Sequence, residues 1–233
     1  MKFAIVVFPG SNCDQDCYHV ARDLLGCEAE YVWHHDTDLK GADAVVLPGG
    51  FAYGDYLRAG ALARFSPVME SVARFAASGG AVLGICNGFQ VLLEAGLLPG
   101  AVRVNRGLRY VCRDVYLKVE NIDTPFTRLY ERGQVVKMPI GHMEGNYTAP
   151  PDVLAELGRG RRVVFRYRDA KGMVTDASNP NGAVDGIAGI ANREGNVVGL
   201  MPHPDRCSET LLGNEAGRKM FESVVAALAP VAS

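Results

Sequence analysis

The sequence predicts an α/β fold: a mostly parallel open sheet with helices on both faces and an antiparallel extension. Three observations carry that prediction. Short apolar runs alternate with segments of helical period over residues 2–95, the spacing of a parallel sheet joined by right-handed crossovers. The runs are nearly continuous in apolar character, as in strands covered on both faces. Beyond Ala95 the alternation weakens and further strand-like runs accumulate, which reads as the antiparallel extension.

Residues 2–8 form the first strand, broken by Pro9-Gly10-Ser11-Asn12, with Asp14 able to cap the first helix. Cys17, Val20, Ala21, Leu24 and Leu25 then recur at helical spacing, and Gly26 supplies the stop. Residues 29–33 and 44–47 are the second and third strands, the latter ending in Pro48-Gly49-Gly50-Phe51. A helix with Val68, Val72, Phe75 and Ala76 on one face leads through Ser78-Gly79-Gly80 into a strand at 81–85. Leu97-Leu98-Pro99-Gly100 is a loop, and residues 110–119, 135–140, 163–167 and 187–191 read as strands, with 141–147 as a dense polar loop. Residues 197–201 form a last buried strand, running into Pro202-His203-Pro204-Asp205-Arg206. Residues 217–228 close the chain as a helix with Met220, Phe221, Val224, Val225 and Leu228 on its apolar face. With no repeat, low-complexity tract or linker, residues 1–229 read as one domain and 230–233 as a frayed tail.

Composition narrows the function. A net charge of −2 leaves no basic excess for neutralising phosphates, which argues against nucleic acid as a partner. No apolar run approaches the roughly 20 residues that span a bilayer, so no membrane partner is expected. The N-terminus opens directly on a strand and lacks the regions of a secretory signal, which predicts a cytoplasmic protein. In that compartment the six cysteines read as thiols. Cys13, Cys17 and Cys27 cluster with His19, His34 and His35, but the spacing matches no compact zinc site, and the segment reads well as strand, loop, helix and strand without metal.

The chemistry centres on Gly84-Ile85-Cys86-Asn87-Gly88, where an apolar run stops at a cysteine and a helical segment begins. This is the cysteine version of the nucleophile elbow, in which glycines make room on either side of the nucleophile. The helix dipole there favours negative charge. A lone cysteine is more often a core residue, so the elbow needs partners. Four loops follow apolar strands: residues 9–13, 48–51, 84–88 and 202–206. In parallel sheets such ends meet at one edge, where ligands bind. His203 can thus reach Cys86 as general base and then general acid, and Asp205 can orient its ring. The amide of Asn87 and that of Gly50 or Phe51 can stabilise an oxyanion. A proline-hemmed surface histidine and a plain Gly-Gly turn are the plainer readings of the same residues.

Pro48-Gly-Gly-Phe51, Gly84-Ile-Cys86-Asn-Gly88 and Pro202-His203-Pro-Asp205, in this order, resemble the class I (triad-type) glutamine amidotransferases, whose fold is flavodoxin-like. Phe8-Pro-Gly-Ser-Asn-Cys13-Asp14, the run from Leu47 through Tyr53-Gly54-Asp55-Tyr56-Leu57-Arg58, and Gly84-Ile-Cys-Asn-Gly-Phe-Gln90 narrow this to the glutaminase subunits of phosphoribosylformylglycinamidine synthase, over nearly the whole chain. The resemblance implies that Cys86 attacks the glutamine side-chain amide, that His203 moves the proton, and that a γ-glutamyl thioester is hydrolysed to glutamate. It implies delivery of ammonia to a synthetase subunit, which converts formylglycinamide ribonucleotide to its amidine in de novo purine synthesis, with a small bridging subunit between them. ATP and Mg²⁺ belong to the synthetase, and this chain binds no cofactor or metal of its own. His142, Glu144 and Gln90 are the implied glutamine-side or docking contacts. The chain departs from the family at Asp205, where Glu is usual; the shorter side chain sets its carboxylate farther from His203 or shifts the loop.

Two other readings share the elbow. A cysteine hydrolase of similar fold acting on esters or peptides has no need of the run from Pro48 to Arg58. A flavodoxin-like binding module with a structural Cys86 would give the His203–Asp205 pair no purpose, and no GxGxxG follows the first strand.

Overall fold

The computed structural model describes residues 1–229; the predicted tail at 230–233 lies outside the described residues. The chain begins with β1 (Lys2–Val7), whose four central residues Phe3, Ala4, Ile5 and Val6 are buried. Helix α1 (Asp14–His19) continues through a π-helical turn at Val20–Leu24 and is followed by β2 (Glu28–Trp33). Next come β3 (Ala44–Leu47), α2 (Pro67–Ala77), β4 (Ala81–Ile85) and α3 (Asn87–Glu94). The middle of the chain supplies β5 (Ala101–Val104), β6 (Val111–Val119), β7 (Val135–His142), β8 (Glu144–Thr148) and α4 (Pro151–Arg159). It ends with β9 (Val163–Arg168), β10 (Ile187–Ala191), β11 (Val197–Leu200) and α5 (Arg218–Leu228).

Nine strands form one sheet in the order β2-β1-β3-β4-β11-β10-β9-β6-β7. The first five are mutually parallel and the remaining four add on antiparallel, so the expected extension is real and joins at β11. Every residue of β3, β4 and β11 is buried, which requires cover on both faces and explains their uninterrupted apolar sequences. Helix α3 packs on β3, β4 and β11, while α1 packs on β1 and β2. The closing helix reaches β1 through Phe221, whose ring lies 6.4 Å from that of Phe3. Each of the fully buried aliphatic side chains in this row contributes about 1.5–3 kcal/mol by leaving water. Among the described residues no helix is long and apolar enough to cross a membrane.

The segment read as a loop at 141–147 is corrected by the structure. β7 runs on to His142, and Glu144–Thr148 is a strand that pairs antiparallel with β5 in a separate two-stranded ribbon. Its buried positions are Gly145 and Tyr147, alternating with the polar Glu144, Asn146 and Thr148, so its alternation is carried by residues that are not aliphatic. The apolar pattern does not mark β5 or α4 either: no residue of β5 is fully buried, and α4 buries only Leu157.

Candidate active site

The carboxyl ends of β1, β3, β4 and β11 stand side by side, and the four loops that succeed these strands converge there. An isolated bridge joins Ser11 to Gly50, and the amide of Cys86 donates to Leu200 O at 2.7 Å, tying the elbow to β11. Cys86 itself carries φ +48° and ψ −104°, a conformation that side chains rarely adopt. The bracketing glycines make this turn possible by close approach. A Cβ on Gly88 would lie 1.9 Å from Leu47 O, and one on Gly84 would lie 2.5 Å from Leu92 Cδ1. The β3 backbone thus runs directly beneath the elbow. The Cys86 Sγ is nearly buried and donates a long hydrogen bond to Gly141 O at 3.8 Å.

His203 follows β11 between two prolines, and its amide donates to Pro139 O at 2.9 Å. The ring is buried over Gly49, where a Cβ would lie 2.6 Å from His203 Cε1; only glycine admits the imidazole. His203 Nδ1 stands 3.3 Å from Asp205 Oδ1 and 3.4 Å from Oδ2. Burial opposes a charge on this ring, but the Asp205 carboxylate, then Cys86, then Cys13 outweigh it and raise the histidine well above its ordinary 6.5.

Of the candidate oxyanion donors, the Phe51 amide is occupied by Gly10 O at 3.0 Å, while those of Gly50 and Asn87 bond to no other group among the described residues. Asn87 also works through its side chain. Its Oδ1 accepts from the Ala52 amide at 3.0 Å, and its Nδ2 donates to Gln90 Oε1 at 3.0 Å and Asp55 Oδ1 at 3.3 Å. This pins the 48–55 loop to the elbow helix. Gln90 in turn donates to Glu144 O at 2.6 Å, so its amide is engaged within the protein. Glu144 Oε2 accepts from the Ala59 amide at 3.3 Å and lines a groove of about 550 Å³ with Arg58, Arg103, Asn105 and Arg106. Burial and the Glu144 charge push Asp55 up to about 6. His142 is buried with both ring nitrogens unpartnered, its ring against Gly145, and burial lowers it to about 4.

The cysteines and histidines of the first 35 residues do not gather. His19 pairs with Asp23 and Glu209, His34 bonds Tyr53 Oη at 2.8 Å, and Cys17 is buried in the core. Cys13 instead joins His203 and Asp205: its Sγ, an imidazole nitrogen and a carboxylate oxygen lie within 4.8 Å of one another. Its position in a loop after an apolar strand is visible in the sequence, but its neighbour is not.

The family model of the CobB/CobQ-like glutamine amidotransferase domain matches residues 1–226. The chain is 57% identical to the phosphoribosylformylglycinamidine synthase subunit PurQ of Salinibacter ruber, covering 96% of this chain and 95% of the relative. It is also 57% identical to the subunit of the same name from Moorella thermoacetica, over 97% of this chain and 95% of that one. Among solved structures it resembles PurLQS from Thermotoga maritima, with a TM-score of 0.86 at 44% identity over 97% of this chain and 98% of the matched chain.

Proposed function

The chain belongs to the CobB/CobQ-like glutamine amidotransferases, and from that premise we propose that it is the glutaminase subunit of a phosphoribosylformylglycinamidine synthase. It hydrolyses glutamine to glutamate and passes ammonia to a synthetase subunit for the conversion of formylglycinamide ribonucleotide to its amidine in purine biosynthesis. A small bridging subunit completes the assembly, and ATP and Mg²⁺ are used by the synthetase. The observation that carries this reading is the strained Cys86 elbow sharing one buried sheet edge with the His203–Asp205 pair.

In the proposed reaction His203 takes the Cys86 thiol proton and becomes an imidazolium as Sγ attacks the side-chain carbonyl carbon of glutamine. The oxyanion forms toward the amides of Gly50 and Asn87, where one lost donor costs about 3 kcal/mol of transition-state stabilisation. The C–N bond then breaks, and the departing nitrogen takes a proton from the His203 imidazolium, leaving a thioester and ammonia. Water adds with His203 as base, and the collapse of the second intermediate returns the thiol and releases glutamate. Asp205 orients the ring and stabilises its charged form. His142 and Glu144 are the proposed glutamine-side residues, His142 as a neutral ring and Glu144 from the groove. All six cysteines are unpaired, which supports a cytoplasmic location.

Glutamate release tests this directly, measured with the chain alone and then with synthetase, bridging subunit, ATP and formylglycinamide ribonucleotide. Release that rises on assembly and disappears in Cys86→Ala is expected. An ester hydrolysis unaffected by glutamine would replace this reading with a general cysteine hydrolase.

A further inference from the structure

The Asp205 carboxylate is a poor anchor for His203. Both of its oxygens lie beyond the 2.7–2.9 Å usual for a charge-assisted N–H···O bond, and Oδ1 is buried without a hydrogen-bond partner. On a deeply buried ring whose direction decides the proton transfer, that leaves orientation weakly specified. Something else must hold the imidazole, and Cys13 is placed to do so.

The thiol and the ring rest on the same glycine. A Cβ on Gly49 would lie 3.1 Å from Cys13 Sγ and 2.6 Å from His203 Cε1, so both sit in the notch that the missing side chain leaves. The sulfur is itself held by two partners, and its backbone by a third. Arg206 Nη2 donates to it at 3.0 Å while Nε of the same guanidinium donates to Asp16 Oδ2 at 3.1 Å. The sulfur lies 3.0 Å from Asn12 Oδ1, which takes the single thiol proton. The Cys13 amide donates to Gly49 O at 3.3 Å, fixing the loop to the notch. With its proton directed to Asn12, the sulfur keeps a lone pair free to face the imidazole, whose ring nitrogen lies within 4.8 Å of it. Cys13, His203 and Asp205 are donor types that could bind a cation, but the Arg206 guanidinium already occupies one side of the sulfur.

We infer that Cys13 is a positioning residue for the proton-transfer histidine: it holds the His203 imidazole over Gly49 and supplies the restraint that the short Asp205 side chain gives only in part. The inference rests on the proposed role of His203. The titratable and charged groups around that ring are Asp205, Cys86, Cys13, Arg206, His142, Tyr110 and Cys207. Burial keeps Cys13 itself above its ordinary 9.0, so it faces His203 as a neutral thiol and not as a second nucleophile. A contact from its sulfur favours the charged ring, so its loss shifts the histidine to lower pKa.

The test uses the assembled complex and glutamate release across pH. Cys13→Ala is expected to lower kcat about tenfold with less than about a twofold change in KM for glutamine. The acid limb of its kcat/KM profile moves to lower pH. Cys13→Ser, which keeps an acceptor in place, recovers most of the rate. Asp205→Glu placed in the Cys13→Ala background also recovers it, because a longer carboxylate closes the gap to Nδ1; a side chain that only fills space would show no such rescue. Should Cys13→Ala fail to fold, Cys13→Val fills the space without a polar atom and carries the same expectations. An unchanged kcat and pH profile overturns the inference, as does a loss that neither serine nor glutamate restores. Cys86→Ala is measured alongside: release that survives there removes the thioester reading itself, an outcome separate from any result at Cys13.

Discussion

His203 Nδ1 stands 3.3 Å from Asp205 Oδ1 and 3.4 Å from Oδ2, a pair fully withdrawn from water yet longer than a tight ion-pair hydrogen bond. Lengthening the carboxylate arm should therefore help. Asp205→Glu is expected to raise kcat, and Asp205→Asn to lower it by about tenfold to a hundredfold, less than Cys86→Ala does. The pair also ties stability to pH. Because the histidine is raised in the folded chain above its ordinary 6.5, its contribution is complete below that pH. It is lost as pH rises through the higher folded value. Chemical unfolding of wild type and Asp205→Asn at two pH values checks this: the gap between them should narrow under alkaline conditions.

The nucleophile is held in a strained backbone. At φ +48° and ψ −104°, a residue with a Cβ is destabilised by about 1–3 kcal/mol relative to glycine. Cys86→Gly should therefore unfold at a higher temperature than Cys86→Ala, although neither releases glutamate. Equal melting temperatures would mean that the elbow stores no strain.

Gly88 has no such tolerance. Its added Cβ would meet the carbonyl of Leu47 on a buried strand that cannot withdraw. Gly88→Ala is expected to destabilise by about 3 kcal/mol or more, in the range of severe core disruption. Urea unfolding measures it. Gly79→Ala, where nothing lies within 4 Å but φ is +91°, isolates the cost of backbone strain alone.

His142 is a reservoir of acid sensitivity. Its folded pKa of about 4 lies below the ordinary 6.5, so its contribution is present above 6.5 and is lost as pH falls toward 4. On the order of 3 kcal/mol accompanies that shift. His142→Gln should flatten the acid side of the stability profile, read by unfolding between pH 7 and 4. A profile as steep as wild type would assign the acid loss elsewhere.

Asp55 works in the other direction. Raised to about 6 by burial and by Glu144, it favours folding when protonated and loses that advantage as pH rises through 6. After allowance for its partial exposure, Asp55→Asn should stabilise the chain at pH 7 by about 1 kcal/mol. A melting temperature lower than wild type would show instead that the bond from Asn87 Nδ2 outweighs the repulsion.

The parallel half of the fold and the elbow were legible because their signals are local. β3, β4 and β11 are buried on both faces and so must be apolar along their length, and the glycines at 84 and 88 flank Cys86 within one turn of chain. β8 escaped because its buried positions are a glycine and a tyrosine, and α4 because it buries a single leucine. The same division runs through the site. Sequence alone named Cys86, His203, Asp205 and the two glycine loops, since a strand that ends in a polar loop delivers its residues to the ligand edge whatever the details. Only the tertiary structure decided that the Phe51 amide is taken by Gly10, that Gln90 is turned inward to Glu144, and that Cys13 meets His203 over Gly49. Those outcomes depend on distances of a few tenths of an ångström between segments far apart in the chain, set by how closely β3, β4 and β11 pack, and no local pattern of residues encodes them.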